Sequence, residues 1–401
     1  MNSHHHWLNR ERITVYPRLF VALFLLISIA WVLLSKNMVD FKGKPLGYDF
    51  ITFWAASYLG LKGHAADAYN ILLLAKIEKI AVPASQRIFA WYYPPAFFLT
   101  ILPLALLPYL AAYWTFILST LGAYLFVWRR IIRGSIAMWC MAGFSGLWMN
   151  LLHGQNAFLT AALAAGALLC LDQQPILAGI FVGLLAIKPH LALLFPVALI
   201  AIGAWRSFVT AAVTALVFTA AGVAVLGTGT VKACWISLSY ARSFLEKGIL
   251  PWVKMPTVFA LLRLLGTPVA VAYTIHAIIA LGATSALWRV WRNCNNWPVR
   301  SAALMTATFL ISPYVFDYDL AWLAFPIAWM ALEGLKHGWL RGEREVLVAA
   351  WVLPMLMSPI ANVTSVQIGP LVGSALLYIS VRRAAIHTNE KTRSHANMPM
   401  A

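Results

Sequence analysis

Apolar runs of membrane-crossing length, separated by short basic clusters, occupy most of this 401-residue chain. The first covers residues 15–34, with Arg10, Arg12 and Arg18 at its N-terminal end. Later clusters fall at Arg129, Arg130 and Arg133, at Arg289, Arg292 and Arg300, at Lys336, Arg341 and Arg344, and at Arg382 and Arg383. A helix needs about 20 apolar residues to cross a bilayer core, and basic clusters mark the loops that stay cytoplasmic. Hydrophobic residues make up 62% of the chain and charged residues 11%, more apolar side chain than a soluble domain hides. The pattern predicts an all-α polytopic membrane protein, its 18 Trp and 14 Tyr suited to interfacial belts. The formal charge of +17 is dispersed among loops rather than gathered in one stripe, so no nucleic-acid partner is expected.

The alternation predicts about twelve spans with both termini cytoplasmic in a bacterial inner membrane. The first run has no small-residue cleavage site and reads as a retained span. Residues 36–93 read as a large extracytoplasmic loop carrying short helices in the interface. Residues 94–128, interrupted by Pro103 and Pro108, read as a short helix over 95–107 and a span over 111–128. Spans follow near 135–152, 156–171, 175–188, 190–204 and 208–227, then an outer loop over 228–256. Further spans fall near 268–288 and 300–313, one runs toward Lys336, and two more end at Arg382 and Arg383. Residues 1–384 form one integral domain in this reading, with a disordered cytoplasmic tail over 385–401 and a flexible stretch at His4, His5 and His6. The four cysteines, Cys140, Cys170, Cys234 and Cys294, follow no disulfide, zinc or redox spacing.

Only 13 residues are acidic, and Asp49 sits among aromatics just after the first run. A carboxylate at a lipid–water boundary is costly to keep. Three more polar constellations reach the same face in this topology: His153-Gly154-Gln155-Asn156, Lys188-Pro189-His190 and Asp317-Tyr318-Asp319. Each has a plainer explanation. Lys188 can snorkel to the interface, Gln155 and Asn156 can join helices, and a buried His is commonly a hydrogen-bonded structural residue. Together they describe a polar cavity suited to transfer from a phosphate-linked donor. A carboxylate takes the proton of an attacking hydroxyl, and cationic and amide donors neutralise the departing phosphate. Asp49 is the candidate base. Lys188, His153 and His190 are candidates for the phosphate, and Tyr48, Trp54, Tyr93, Gln155, Asn156, Asp317 and Asp319 for substrate. The Asp-Tyr-Asp segment has the form of a metal-binding DxD but has no nucleotide-binding fold around it. No metal and no cofactor are therefore expected.

The segments Asp49 to Ala56, Tyr93-Pro94-Pro95, Pro103 to Pro108, Gly154-Gln155-Asn156, Gly179 through Gly183 to Ile187-Lys188-Pro189, and Ser312-Pro313 recur in order. This series resembles glycosyltransferase family 87 of the GT-C superfamily, whose members include polyprenol-phosphate-mannose-dependent α-1,2-mannosyltransferases and arabinofuranosyltransferases. The resemblance implies a GT-C fold, a polyprenyl-phosphate sugar donor, a lipid or glycan acceptor, and inverting, metal-independent transfer at the extracytoplasmic side. It carries the family's aspartate onto Asp49 and its Lys-Pro segment onto Lys188 and Pro189. The chain departs from the family after Ser312-Pro313, where Asp317-Tyr318-Asp319 stands in place of a histidine. A multi-pass secondary transporter and a lipid-glycan polymerase or ligase are the alternatives. Polar residues at one face argue against the first, and an early rather than late long outer loop against the second.

Overall fold

The computed structural model describes residues 6–396, with side chains to residue 388. The described residues form helices and loops, with strand-like pairing limited to the isolated bridges Lys36–Val39 and Val39–Pro45. Among the described residues, five helices are long and apolar enough to cross a membrane: Arg10–Leu34, Tyr109–Ile131, Trp205–Leu226, Val269–Asn293 and Glu343–Thr364. A sixth is available if Ser135–Ala142 and Ser145–His153, bent by 48°, act as one span. Their apolar side chains point outward, as at Leu26, Leu33 and Leu34 on the first helix, which suits lipid rather than water as the solvent.

The structure does not reproduce twelve long spans, because several apolar runs break into shorter pieces. The run expected over 175–188 is the helix Pro175–Leu184 followed by the 3-10 turn Leu185–Ile187. The next begins as the turn Pro189–Leu191 and resumes as Leu194–Ala201. The break lies at Lys188-Pro189, where proline has no N–H to give and disfavours helical backbone in the residue before it. Lys188 accordingly has φ −146° and ψ 70°. The 36–93 segment also differs from the expected interfacial loop. Its helix Phe50–Leu61 is buried at nine of twelve residues, because an apolar stretch without a polar face has no reason to lie at an interface. The 228–256 loop contains the helix Gly229–Glu246. The disordered tail expected from 385 is helical in its first part, within Gly369–Ala396; residues 397–401 lie outside the described residues. Of the flexible histidines, His4 and His5 lie outside the described residues, and His6 Nε2 is 3.1 Å from Glu345 Oε1.

Two aromatic-rich cores hold the bundle. One gathers Tyr124, Phe158, Trp291, Trp322 and Phe325, and the other Phe50, Phe53, Trp91, Phe97 and Phe98. Close helix approach depends on small residues. A Cβ at Gly179 would lie 2.6 Å from the Ser207 carbonyl, and one at Gly183 2.7 Å from the Ala211 carbonyl, so this pair lets Pro175–Leu184 press against Trp205–Leu226.

The bundle has two distinct ends. At one, His6 meets Glu345, while Glu343 pairs with Arg383 at 2.5 Å and Arg382 at 3.7 Å. Trp31 lies roughly 30 Å up the first helix, and there it packs against Tyr48 with ring centroids 5.4 Å apart. Beyond the far end of Glu343–Thr364, Gln367 donates to the Val253 carbonyl at 2.9 Å. That far end carries Asp49, His153, Lys188 and Asp317.

Candidate active site

A cavity of about 950 Å³ opens at this end, lined by Tyr48, Asp49, Tyr93, His153, Gln155, Lys188, His190 and Asp317. Five stretches, distant in sequence, therefore meet. The local cause is a close backbone contact. Gly154 ends the helix Ser145–His153 in left-handed conformation, φ 62°, and a Cβ there would lie 2.5 Å from Phe50 Cβ and 2.8 Å from the Gly47 carbonyl. Only glycine fits both the conformation and the space. Asn150 secures the following turn by accepting the Ala157 N–H at 3.1 Å.

This contact brings Gln155 to Asp49. Gln155 Nε2 donates to Asp49 Oδ2 at 3.0 Å, while Gln155 Oε1 accepts the Tyr93 hydroxyl at 2.8 Å, and the two bonds fix the amide's orientation. Asp49 is half-buried and belongs to no ion pair among the described residues. Its neighbour Tyr48 is a non-glycine residue at φ 38°. Such backbone costs of order 1–3 kcal/mol and persists only where its surroundings hold it. Here Asp40 does so: it accepts the Tyr48 hydroxyl at 2.9 Å and the Lys42 and Lys44 N–H groups at 2.8 and 2.9 Å.

Lysines also line the cavity. Lys188 and Asp319 form a buried ion pair, 4% and 1% exposed, and the Asp319 Oδ2 also accepts the Phe316 N–H at 3.2 Å. Lys188 Nζ further lies 5.0 Å over the Tyr318 ring. Lys188, expected to meet the donor phosphate, lines the cavity with its ammonium already paired to a carboxylate. Lys254, which the sequence reading missed, is better placed. Its Nζ lies 3.1 Å from His153 Nε2 and 3.8 Å from Asp317 Oδ2, with the side chain 31% exposed. His153 Nδ1 donates to the Met149 carbonyl at 2.8 Å, which leaves Nε2 to accept from Lys254. Lys44 joins it at the cavity wall, and burial together with the Lys254 ammonium pushes its amine below the ordinary lysine range. Two ammonium groups held near one another favour an anion between them. The available signal for Lys254 was its place in a loop expected to lie outside, against the usual distribution of basic residues.

Three expected substrate residues stand apart. Trp54 donates its indole N–H to the Leu107 carbonyl at 2.9 Å and packs in the aromatic core. Asn156 is fully buried behind the lining, and Asp319 is held by Lys188. His190 stays at the wall, edge-on to Tyr314 with ring centroids 5.9 Å apart.

The profile of glycosyltransferase family 87 matches residues 91–313, more than half of the chain. The chain belongs to this family. Membership makes it a membrane glycosyltransferase, acting on a sugar donor and an acceptor, and sets the transporter alternative aside. The matched stretch contains Tyr93, His153, Gln155, Lys188, His190 and Lys254, while Asp49 lies before it. No curated protein and no solved structure matches the chain.

Proposed function

We propose that this family 87 enzyme transfers a sugar from a polyprenyl-phosphate donor to a lipid or glycan acceptor at the extracytoplasmic face, with inversion and with Asp49 as general base. The observation that carries the reading is a cavity lined both by a carboxylate that has no ion-pair partner among the described residues and by two ammonium groups, Lys254 and Lys44. The acceptor hydroxyl loses its proton to Asp49 as its oxygen bonds to the anomeric carbon. The bond from that carbon to the phosphate oxygen breaks on the opposite face, and polyprenyl phosphate leaves with the electron pair. Lys254 and Lys44 meet the growing charge. Asp317 and Asp319 already face lysines, so the cavity supplies its positive charge from side chains and the reaction proceeds without a divalent ion.

Exposed aliphatic residues at the cavity, Ile71, Ile88, Leu193, Leu238 and Ile249, support a lipid-linked donor. They offer apolar surface where a polyprenyl chain would leave the polar chamber. The full arrangement of spans is taken to be the GT-C kind, with short and broken helices completing the roughly twelve crossings.

The test is transfer by the purified enzyme from a polyprenyl-phosphate sugar, with glycolipids and glycans of gene-deleted membranes compared by mass spectrometry. No lost glycosylated product, and no donor turnover, would end the proposal. Within it, Lys254→Ala should raise the donor KM by roughly ten- to hundredfold, as the loss of about 1.5–3 kcal/mol from a charged hydrogen bond requires. A changed acceptor KM with an unaltered donor KM would place the lysine at the other substrate. Sidedness has its own check. In a background free of the four native cysteines, Lys42→Cys should react with a membrane-impermeant maleimide added outside intact spheroplasts. Labelling only after permeabilisation would put the cavity on the cytoplasmic side.

A further inference from the structure

Three metal-capable side chains converge at the other end of the bundle, away from the cavity. Glu333 and His337 share one face of the helix Ala324–His337, being four residues apart. His387 reaches them from Gly369–Ala396. Glu333 Oε2 lies 3.0 Å from His337 Nδ1 and 3.1 Å from His387 Nε2, and all three donor atoms fall within 4.8 Å of one another. Donors around a tetrahedral ion with bonds of about 2.0–2.1 Å are spaced about 3.3 Å apart. The trio thus approximates one face of such a site.

Hydrogen bonding alone leaves a conflict. Asn296 caps the helix Trp297–Ile311 by accepting the Val299 N–H on Oδ1 at 3.1 Å, which fixes its amide orientation. Its Nδ2, a donor, therefore faces His387 Nε2 at 3.2 Å. Toward Glu333 that imidazole nitrogen needs a proton, and toward Asn296 it must have none. A cation between Nε2 and the carboxylate satisfies those two atoms together, since it takes the Nε2 lone pair and faces Oε2 with positive charge, and it leaves the Asn296 amide to its capping bond with Val299. Glu333 is itself buried, and its ion-pair partners among the described residues are these two histidines. A buried carboxylate calls for a countercharge. The nearby Arg382 and Arg383 do not supply it, being paired with Glu343.

We infer that Glu333, His337 and His387 form a site for a zinc-class divalent cation that ties the last helix to Ala324–His337. Two imidazoles and one carboxylate suit such ions, with a fourth position left for water. The role is structural and separate from sugar transfer.

The test uses the full-length chain purified without an affinity tag, carrying His4→Ala, His5→Ala and His6→Ala so that these histidines do not compete for metal. Titration with Co²⁺ should show one equivalent bound, with the intense visible absorption of four-coordinate cobalt, displaced by Zn²⁺. Zn²⁺ should also raise the thermal unfolding midpoint, because it binds the folded form. His337→Ala, at an exposed position that spares the fold, should weaken Co²⁺ binding by at least the roughly 10–100-fold that altering an outer-shell partner produces. Glu333→Gln should do the same. No binding by the parent chain, or binding unaffected by His337→Ala, would overturn the inference.

Discussion

Asp49→Asn should lower the turnover number by about 10²–10⁴, the range over which a positioned general base acts, while leaving donor binding nearly intact. The substitution keeps the size of the side chain. Gln155 still reaches it, because the amide oxygen of asparagine accepts the Nε2–H that Asp49 Oδ2 now accepts at 3.0 Å. What disappears is the capacity to take a proton from the acceptor hydroxyl. The measurement is initial rate against donor and acceptor concentration with purified enzyme, beside a folding control from size-exclusion chromatography and thermal unfolding. A folded variant with wild-type turnover removes Asp49 from the chemistry and directs attention to Asp317, the remaining carboxylate at the cavity wall.

The second large effect is on stability. Lys188→Ala leaves the Asp319 carboxylate buried without its partner, and breaking a buried pair in this way costs about 3–5 kcal/mol. The variant should unfold at a clearly lower temperature in detergent. Asp319→Asn, which strands the ammonium instead, should do likewise. The double substitution Lys188→Met with Asp319→Leu should recover much of the loss, because neither charge then remains buried. The opposite pattern, an unchanged melting temperature for Lys188→Ala with a raised donor KM, would restore Lys188 as the phosphate ligand and break the assignment to Lys254.

These two residues also show where sequence is informative. Polar groups are rare in this chain, so Asp49, His153, Gln155, Lys188, His190 and Asp317 stood out, and the cavity brings them together. Their pairing could not be read. Lys188 and Asp319 are 131 positions apart, and nothing along the chain indicates that each neutralises the other. Lys254 was hidden for a related reason: its value depends on His153 and Asp317, which only the fold brings near. Helical pattern was legible for long runs such as Arg10–Leu34 and Tyr109–Ile131. Short helices were expected in the 36–93 segment as well, but not the burial of Phe50–Leu61, whose apolar residues surround the whole helix. Periodicity tells such a helix that it is buried but not whether lipid or protein covers it.

The aliphatic rim around the cavity sets the dimensionality of the proposed reaction. With the donor's hydrocarbon tail held in the bilayer beside Leu193, Leu238 and Ile249, only the phosphate and sugar leave the lipid phase. The enzyme then samples a two-dimensional solution. Its rate in vesicles should follow the mole fraction of donor among lipids, and diluting the whole suspension with buffer should leave turnover per enzyme unchanged, while diluting the donor with inert phospholipid should slow it.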